Sequence, residues 1–116
     1  MTNVRIGVMY DRDWAPEGLP GFAREAEALG VDDLWVVEDL GFRGGMTQAA
    51  AVLAVPPGVN GGLGIAPAAA RPAAFAALEV ATLRPLFPGR ATAGLWHGSR
   101  PGVRRRRGGA VEPPQR

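Results

Sequence analysis

A chain of 116 residues holds one modest core, and 47% apolar with 21% charged residues is the mixture of a globular domain. The absence of cysteine excludes disulfides, zinc fingers and iron–sulfur ligation, and His97, the single histidine, excludes an imidazole-based metal cluster. The net charge of +2 is uneven: residues 1–99 carry 7 Arg against 10 Asp and Glu, and residues 100–116 carry 6 Arg against Glu112, so the body lacks the basic footprint of a nucleic-acid-binding domain.

The opening MTNVRIGVMYDRD lacks the basic-then-apolar layout of a secretory signal. The apolar stretch 61–83 is broken by Pro67, Arg71, Pro72 and Glu79 and makes no membrane span. A cytoplasmic chain is therefore expected. VRIGVMY, residues 4–10, is a short β-branched run that suits a strand buried on both faces. Pro20 then stands at a first helical position before GFAREAEALG, where Phe22, Ala26 and Leu29 share one face and Gly30 marks the stop. DLWVVED, 33–39, reads as a second strand ending in two carboxylates. TQAAAVLA, 47–54, reads as a helix closed by Pro56 and Pro57. NGGLGIAP, 60–67, is a glycine-weakened third strand. Residues 72–86 form a long helical segment with Phe75, Leu78, Ala81, Thr82 and Leu86 near one face, and Pro85 disturbs its last turn. RATAGLWHG, 90–98, is the fourth strand. From Ser99 onward periodicity is lost, so residues 1–98 are read as the folded part and 99–116 as a disordered Arg/Gly/Pro-rich tail.

Strands beginning near residues 4, 33, 60 and 90, with helices between, repeat at the period of βαβ units in a parallel sheet. Two α/β architectures use such units: a partial (β/α)8 barrel of four βα units, and a small open doubly wound sheet. The open-sheet nucleotide binders place a glycine-rich phosphate loop after the first strand. Here that position holds Asp11, Asp13 and Glu17, which repel phosphate; no GxGxxG follows any strand, and the chain has no lysine for a Walker-type loop. The barrel is the better reading.

Three pieces, VRIGVMYDR, AEALGVDDLWVVED and LGIAPAAARPAAFAALEVATLRPLFPGRATAGLWHG, in this order and spacing, resemble the amino-terminal half of a luciferase-like flavin-dependent monooxygenase. The resemblance covers residues 4–98. It implies a (β/α)8 barrel, a bound FMN or 5-deazaflavin coenzyme, hydride or oxygen transfer, and a small-molecule substrate. It also implies that the cofactor phosphate sits largely on later strands, so that this fragment by itself binds flavin poorly and does not turn over. The chain departs from the family pattern at Glu38-Asp39, where an acid followed by histidine is usual, at Pro85, and across residues 55–62.

Barrel enzymes gather their sites at the carboxyl ends of the strands. Those ends here are Tyr10-Asp11, Glu38-Asp39, Ala66-Pro67 and Trp96-His97-Gly98. Under the resemblance, His97 and Glu38 are the candidate catalytic groups, His97 as a flavin hydrogen-bond partner or proton shuttle and Glu38 as a general base or polar contact. Tyr10, Asp39, Gly64, Ala66, Gly94 and Gly98 are the candidate cofactor-binding positions, the glycines because a missing side chain lets a planar ring approach the backbone. Adjacent strand residues point to opposite sides, so only one of Glu38 and Asp39 is expected to face the pocket. Read without the family, the same pair is an exposed loop opening or a cap for the next helix. Asp11 and Asp13 are read as solvated surface, and no metal site is expected.

A rival reading of another class is a small binding protein whose basic C-terminal arm, Arg104 to Arg107, contacts nucleic acid. The run has no interleaved aromatics and the acidic body does not continue it, which argues against nucleic acid. A shifted reading frame in GC-rich DNA would also yield such Arg/Gly/Pro text. A half barrel, finally, leaves two open sheet edges that invite self-association.

Overall fold

The computed structural model describes residues 3–55 and 58–97. Gly98 and the Arg104–Arg107 run, with the rest of 99–116, lie outside the described residues. Strand β1 (Gly7–Met9) leads through a 3-10 turn into helix α1 (Leu19–Ala28), which carries a proline in its first turn. Gly30, at φ +79°, reverses the chain toward β2 (Asp33–Val36), because the left-handed conformation costs glycine nothing. Helix α2 (Gly45–Leu53) precedes β3 (Asn60–Pro67), and a 3-10 turn then leads into α3 (Ala73–Leu86). That helix stops one residue beyond Pro85, and β4 (Ala91–Trp96) follows.

The four strands are parallel and lie in the order β1-β2-β3-β4, with Val8 beside Leu34, Trp35 beside Gly62 and Leu63 beside Ala93. The β3–β4 register shifts between Leu63 and Ala66, where the Gly64–Ile65 peptide is cis. Sequential order decides between the two architectures. A doubly wound sheet reverses its strand order and carries helices on both faces. Crossovers of one hand that always advance in the same direction put every helix on one face, as in a barrel.

The core lies between that face and the helices. Leu34, Val36, Val52, Leu53 and Leu63 are fully buried there, joined by Leu19, Ala23, Ala26 and Ala49. Fully burying one such aliphatic side chain contributes about 1.5–3 kcal/mol.

Three sequence expectations change. The first strand is not buried on both faces: Val4, Ile6 and Met9 are exposed, because β1 is an edge and only one face of the sheet is covered. Helix α1 buries Leu19, Ala23 and Ala26, whereas Leu29 is 82% exposed beyond the helix end. In α3 the inward residues are Ala76, Val80 and Leu83, and Phe75, Leu78 and Leu86 face outward.

Candidate active site

Strand β2 ends at Val36, so residues 37–44 leave the sheet as a loop that returns to the start of α2. The buried Gln48 of α2 holds this loop, its Nε2 donating to the Val37 carbonyl at 2.9 Å and the Gly44 carbonyl at 3.2 Å. Glu38 supplies the central tie. Its Oε2 accepts the Gly45 N–H at 2.7 Å, and its Oε1 accepts from Nη2 of Arg71, which sits between β3 and α3. A carboxylate at the first turn of α2 also meets the positive end of the helix dipole. Side-chain exposures of 11% for Glu38 and 26% for Arg71 make this a part-buried pair. One guanidinium nitrogen, Arg71 Nη1, is buried with no acceptor.

Arg43 binds the first loop to the second. It donates to the Trp14 carbonyl at 2.5 Å, the Asp11 carbonyl at 2.9 Å and Gln48 Oε1 at 3.4 Å. Asp39 pairs with Arg12 at 3.3 Å in a solvated setting, and the Arg12 guanidinium also lies 4.6 Å from the centre of the Phe42 ring. Together Glu38, Asp39, Phe42, Arg43, Pro67 and Arg71 border an open cleft of about 570 Å³ over the carboxyl ends of β2 and β3.

Both Glu38 and Asp39 line this cleft. The expectation that only one would do so rested on strand alternation, which stops applying because the strand ends two residues before Glu38. Of the readings open to Glu38, the hydrogen bond to Gly45 is the helix-capping one. Tyr10 is 4% exposed, on the helix side of the sheet. Its ring stacks edge-on with Trp14 and Phe22, each at 5.1 Å, and its hydroxyl donates to the Ala15 carbonyl. Ala66 is fully buried. The room left by Gly64 and Gly94 is filled by the chain itself: an added Cβ would lie 3.0 Å from Trp35 Cε3 and 2.6 Å from Ile65 Cγ2, respectively. His97 follows the end of β4, is exposed, and stacks against Trp96 at 5.0 Å between ring centres. The structure thus gathers Glu38 and Asp39 with Arg71 and Arg43, and sets His97 at the neighbouring strand end.

Sequence reasoning passed over Arg71, Arg43 and Gln48. Arg71 lies 33 residues from its partner, and only the repeated βα period, which puts both after a strand, could have flagged it. Among the described residues no group of three His, Asp or Glu side chains is placed to hold a metal. The residues present suit a planar, electron-rich group of flavin type: the cleft is open and is bordered by the Phe42 ring and by the Arg43 and Arg71 guanidinium groups.

Four parallel strands in sequential order, joined by three helices and with charged groups gathered at their carboxyl ends, define part of a barrel-type α/β protein. The chain belongs to the luciferase-like monooxygenase family, whose model matches residues 1–116. Among solved structures it is similar to apo-MsnO8, at TM-score 0.77 and 22% identity over 90% of this chain and 36% of the other. The coenzyme F420 dependent tetrahydromethanopterin reductase from Methanopyrus kandleri matches at TM-score 0.74 and 22% identity, over 90% and 30% of the two chains. The oxygenating constituent of 3,6-diketocamphane monooxygenase from the CAM plasmid of Pseudomonas putida, a type II Baeyer-Villiger monooxygenase in complex with FMN, matches at 0.76 and 14%, over 89% and 32%. These likenesses are of fold, and the chain spans about a third of each matched structure. No curated protein matches the sequence.

Proposed function

We propose that this chain forms the amino-terminal wall of a luciferase-like oxidoreductase that binds FMN or a 5-deazaflavin coenzyme and acts on a small molecule in the cytoplasm. The observation that carries the reading is the Glu38–Arg71 ion pair, which joins two βα units at the cleft over the carboxyl ends of β2 and β3. Membership of the family supports it, as do similar structures described as F420 dependent and as FMN bound. The bound group, when present, would supply the hydride or oxygen chemistry.

In this reading Glu38 is a positioning residue, because both its oxygens already accept from Gly45 and Arg71. Arg71 offers charge to an electron-rich edge of the ligand, and Asp39 offers a polar contact at the rim. His97, exposed at the end of β4, is placed to hydrogen-bond the ligand or to relay a proton. Gly64, Ala66 and Gly94 contribute backbone to the wall, and Tyr10 acts from behind by fixing the first loop through Ala15. Half a wall leaves most of a planar ligand in water, so the chain by itself binds flavin weakly and is inactive. Among the described residues no helix is long and apolar enough to cross a membrane.

Titrating the isotope-labelled 116-residue chain with FMN, and separately with a deazaflavin, tests this by NMR. The expected result is unsaturated shifts at micromolar ligand, confined to amides near residues 38–44, 67–71 and 94–97. Tight stoichiometric binding would overturn the weak-wall reading, and shifts confined to the opposite strand ends would overturn the site.

A further inference from the structure

The loop between β1 and α1 is tied within itself. Asp11 accepts the Asp13 N–H on its carboxylate at 2.8 Å and the Trp14 N–H on its carbonyl at 3.2 Å. Tyr10 donates to the Ala15 carbonyl, and the Tyr10 and Trp14 rings both pack on Phe22 of α1, at 5.1 and 5.6 Å between centres. The first loop is therefore one body with its helix. The second loop, residues 37–44, is anchored on its other side, through Gln48 to the Val37 and Gly44 carbonyls and through Glu38 to Gly45 and Arg71.

Arg43 is where the two loops meet. Its Nη1 and Nη2 donate to the Trp14 and Asp11 carbonyls, the two ends of a single turn, so the planar fork grips that turn as a unit. Both acceptors are backbone atoms, so the grip is independent of the side chains in the first loop. The other tie, Arg12 to Asp39 at 3.3 Å, is solvated on both partners and holds geometry weakly. We propose that Arg43 is a positioning residue that makes the two loops move as one, so that a change at the cleft side of the second loop is carried to Trp14 in the first. In the reading of the cleft given above, a ligand seated against the second loop would thereby set the position of the first. That consequence rests on the cleft reading; the coupling itself does not, and it is measured without ligand.

The full chain labelled with 5-fluorotryptophan gives one fluorine resonance each for Trp14, Trp35 and Trp96, assigned by replacing each in turn with phenylalanine. Glu38→Gln removes the charge that holds Arg71 and disturbs the second loop from the side away from Arg43. Amide shifts at residues 39–44 show that the loop has moved, and Glu38→Ala is used if they do not. The expected result is a resolved shift of the Trp14 resonance with Trp35 and Trp96 in place. On an Arg43→Lys background, which keeps the charge and loses the fork, most of that shift is expected to vanish; on an Arg12→Ala background it is expected to persist. An undiminished shift without the fork overturns the proposal, as does a Trp14 resonance that stays still while the second loop moves. A shift abolished by Arg12→Ala alone would assign the route to Asp39 and overturns it too. If Arg43→Lys displaces all three resonances, Arg43 holds the whole fold and the proposal fails.

Discussion

Trp35 is the residue around which the sheet face turned away from the helices is organised. An added Cβ at Gly62 would lie 2.4 Å from its Cε3 and Cζ3, and one at Gly7 2.9 Å from its Nε1. The indole therefore lies flat across backbone that carries no side chains. Gly62→Ala forces the ring to move and is expected to cost about 1–3 kcal/mol, read from the urea midpoint. On a Trp35→Ala background the same substitution is expected to cost less by at least about 0.5 kcal/mol, since the clash is gone. An equal penalty in both backgrounds would show that the glycine serves something other than the tryptophan. Glu38 teaches a related lesson. An acid just after an apolar strand was legible as a polar group at the cleft, and one reading of it, a cap for the next helix, matches its bond to Gly45. Its ion pair with Arg71 was not legible, because that contact joins two βα units through space.

At the scale of the elements, α2 and α3 differ more than their compositions imply. Helix α2 buries Met46, Gln48, Ala49, Val52 and Leu53 in nine residues, whereas α3 buries only Ala76 in fourteen. Local stability follows buried apolar contact, so α3 opens at lower free energy than α2. Amide hydrogen exchange is expected to be faster over 73–86 than over 45–53; slower exchange in α3 would mean that something covers its outward stripe. The stripe of Phe75, Leu78 and Leu86 was read from the sequence as a helix face, and that face exists. Which side of the helix meets the core was not readable, since an alanine-rich helix has apolar residues all round. The boundaries of β3 were fully legible, because glycines and prolines punctuate it. The first strand was read as longer than the observed Gly7–Met9, because the apolar run continues before it while the Ile6 N–H leaves the ladder for the Asp32 carboxylate.

For the whole molecule, the decisive property is that, among the described residues, all helices lie on one face of the sheet. Open sheet edges and an uncovered face favour self-association, which links folding to association and makes stability depend on concentration. The midpoint of thermal unfolding is then expected to rise by a few degrees for each tenfold increase in protein concentration. A midpoint that stays constant over a hundredfold range would show that the four-stranded sheet is stable without association. The same geometry underlies the weak flavin binding proposed above, since a ligand at the barrel mouth needs walls on both sides.

The sequence by itself determined the element types, their spacing of about thirty residues, the parallel α/β class and the family resemblance, because those depend on hydrophobic period and turn chemistry within each segment. It also placed Glu38 and Asp39 at a strand end and His97 at another, since the end of an apolar run is a local feature. The sequence also favoured the barrel over the open sheet, through the acidic loop after the first strand and the family resemblance, but the strand order that settles it came only from the tertiary structure, because order is a relation among segments. The tertiary structure likewise decided that Tyr10 faces the helices, that Trp35 lies over glycines, and that Arg71 closes on Glu38 with one nitrogen unsatisfied. Those facts depend on which side of each strand meets a neighbour, and the packing of the whole sheet sets that.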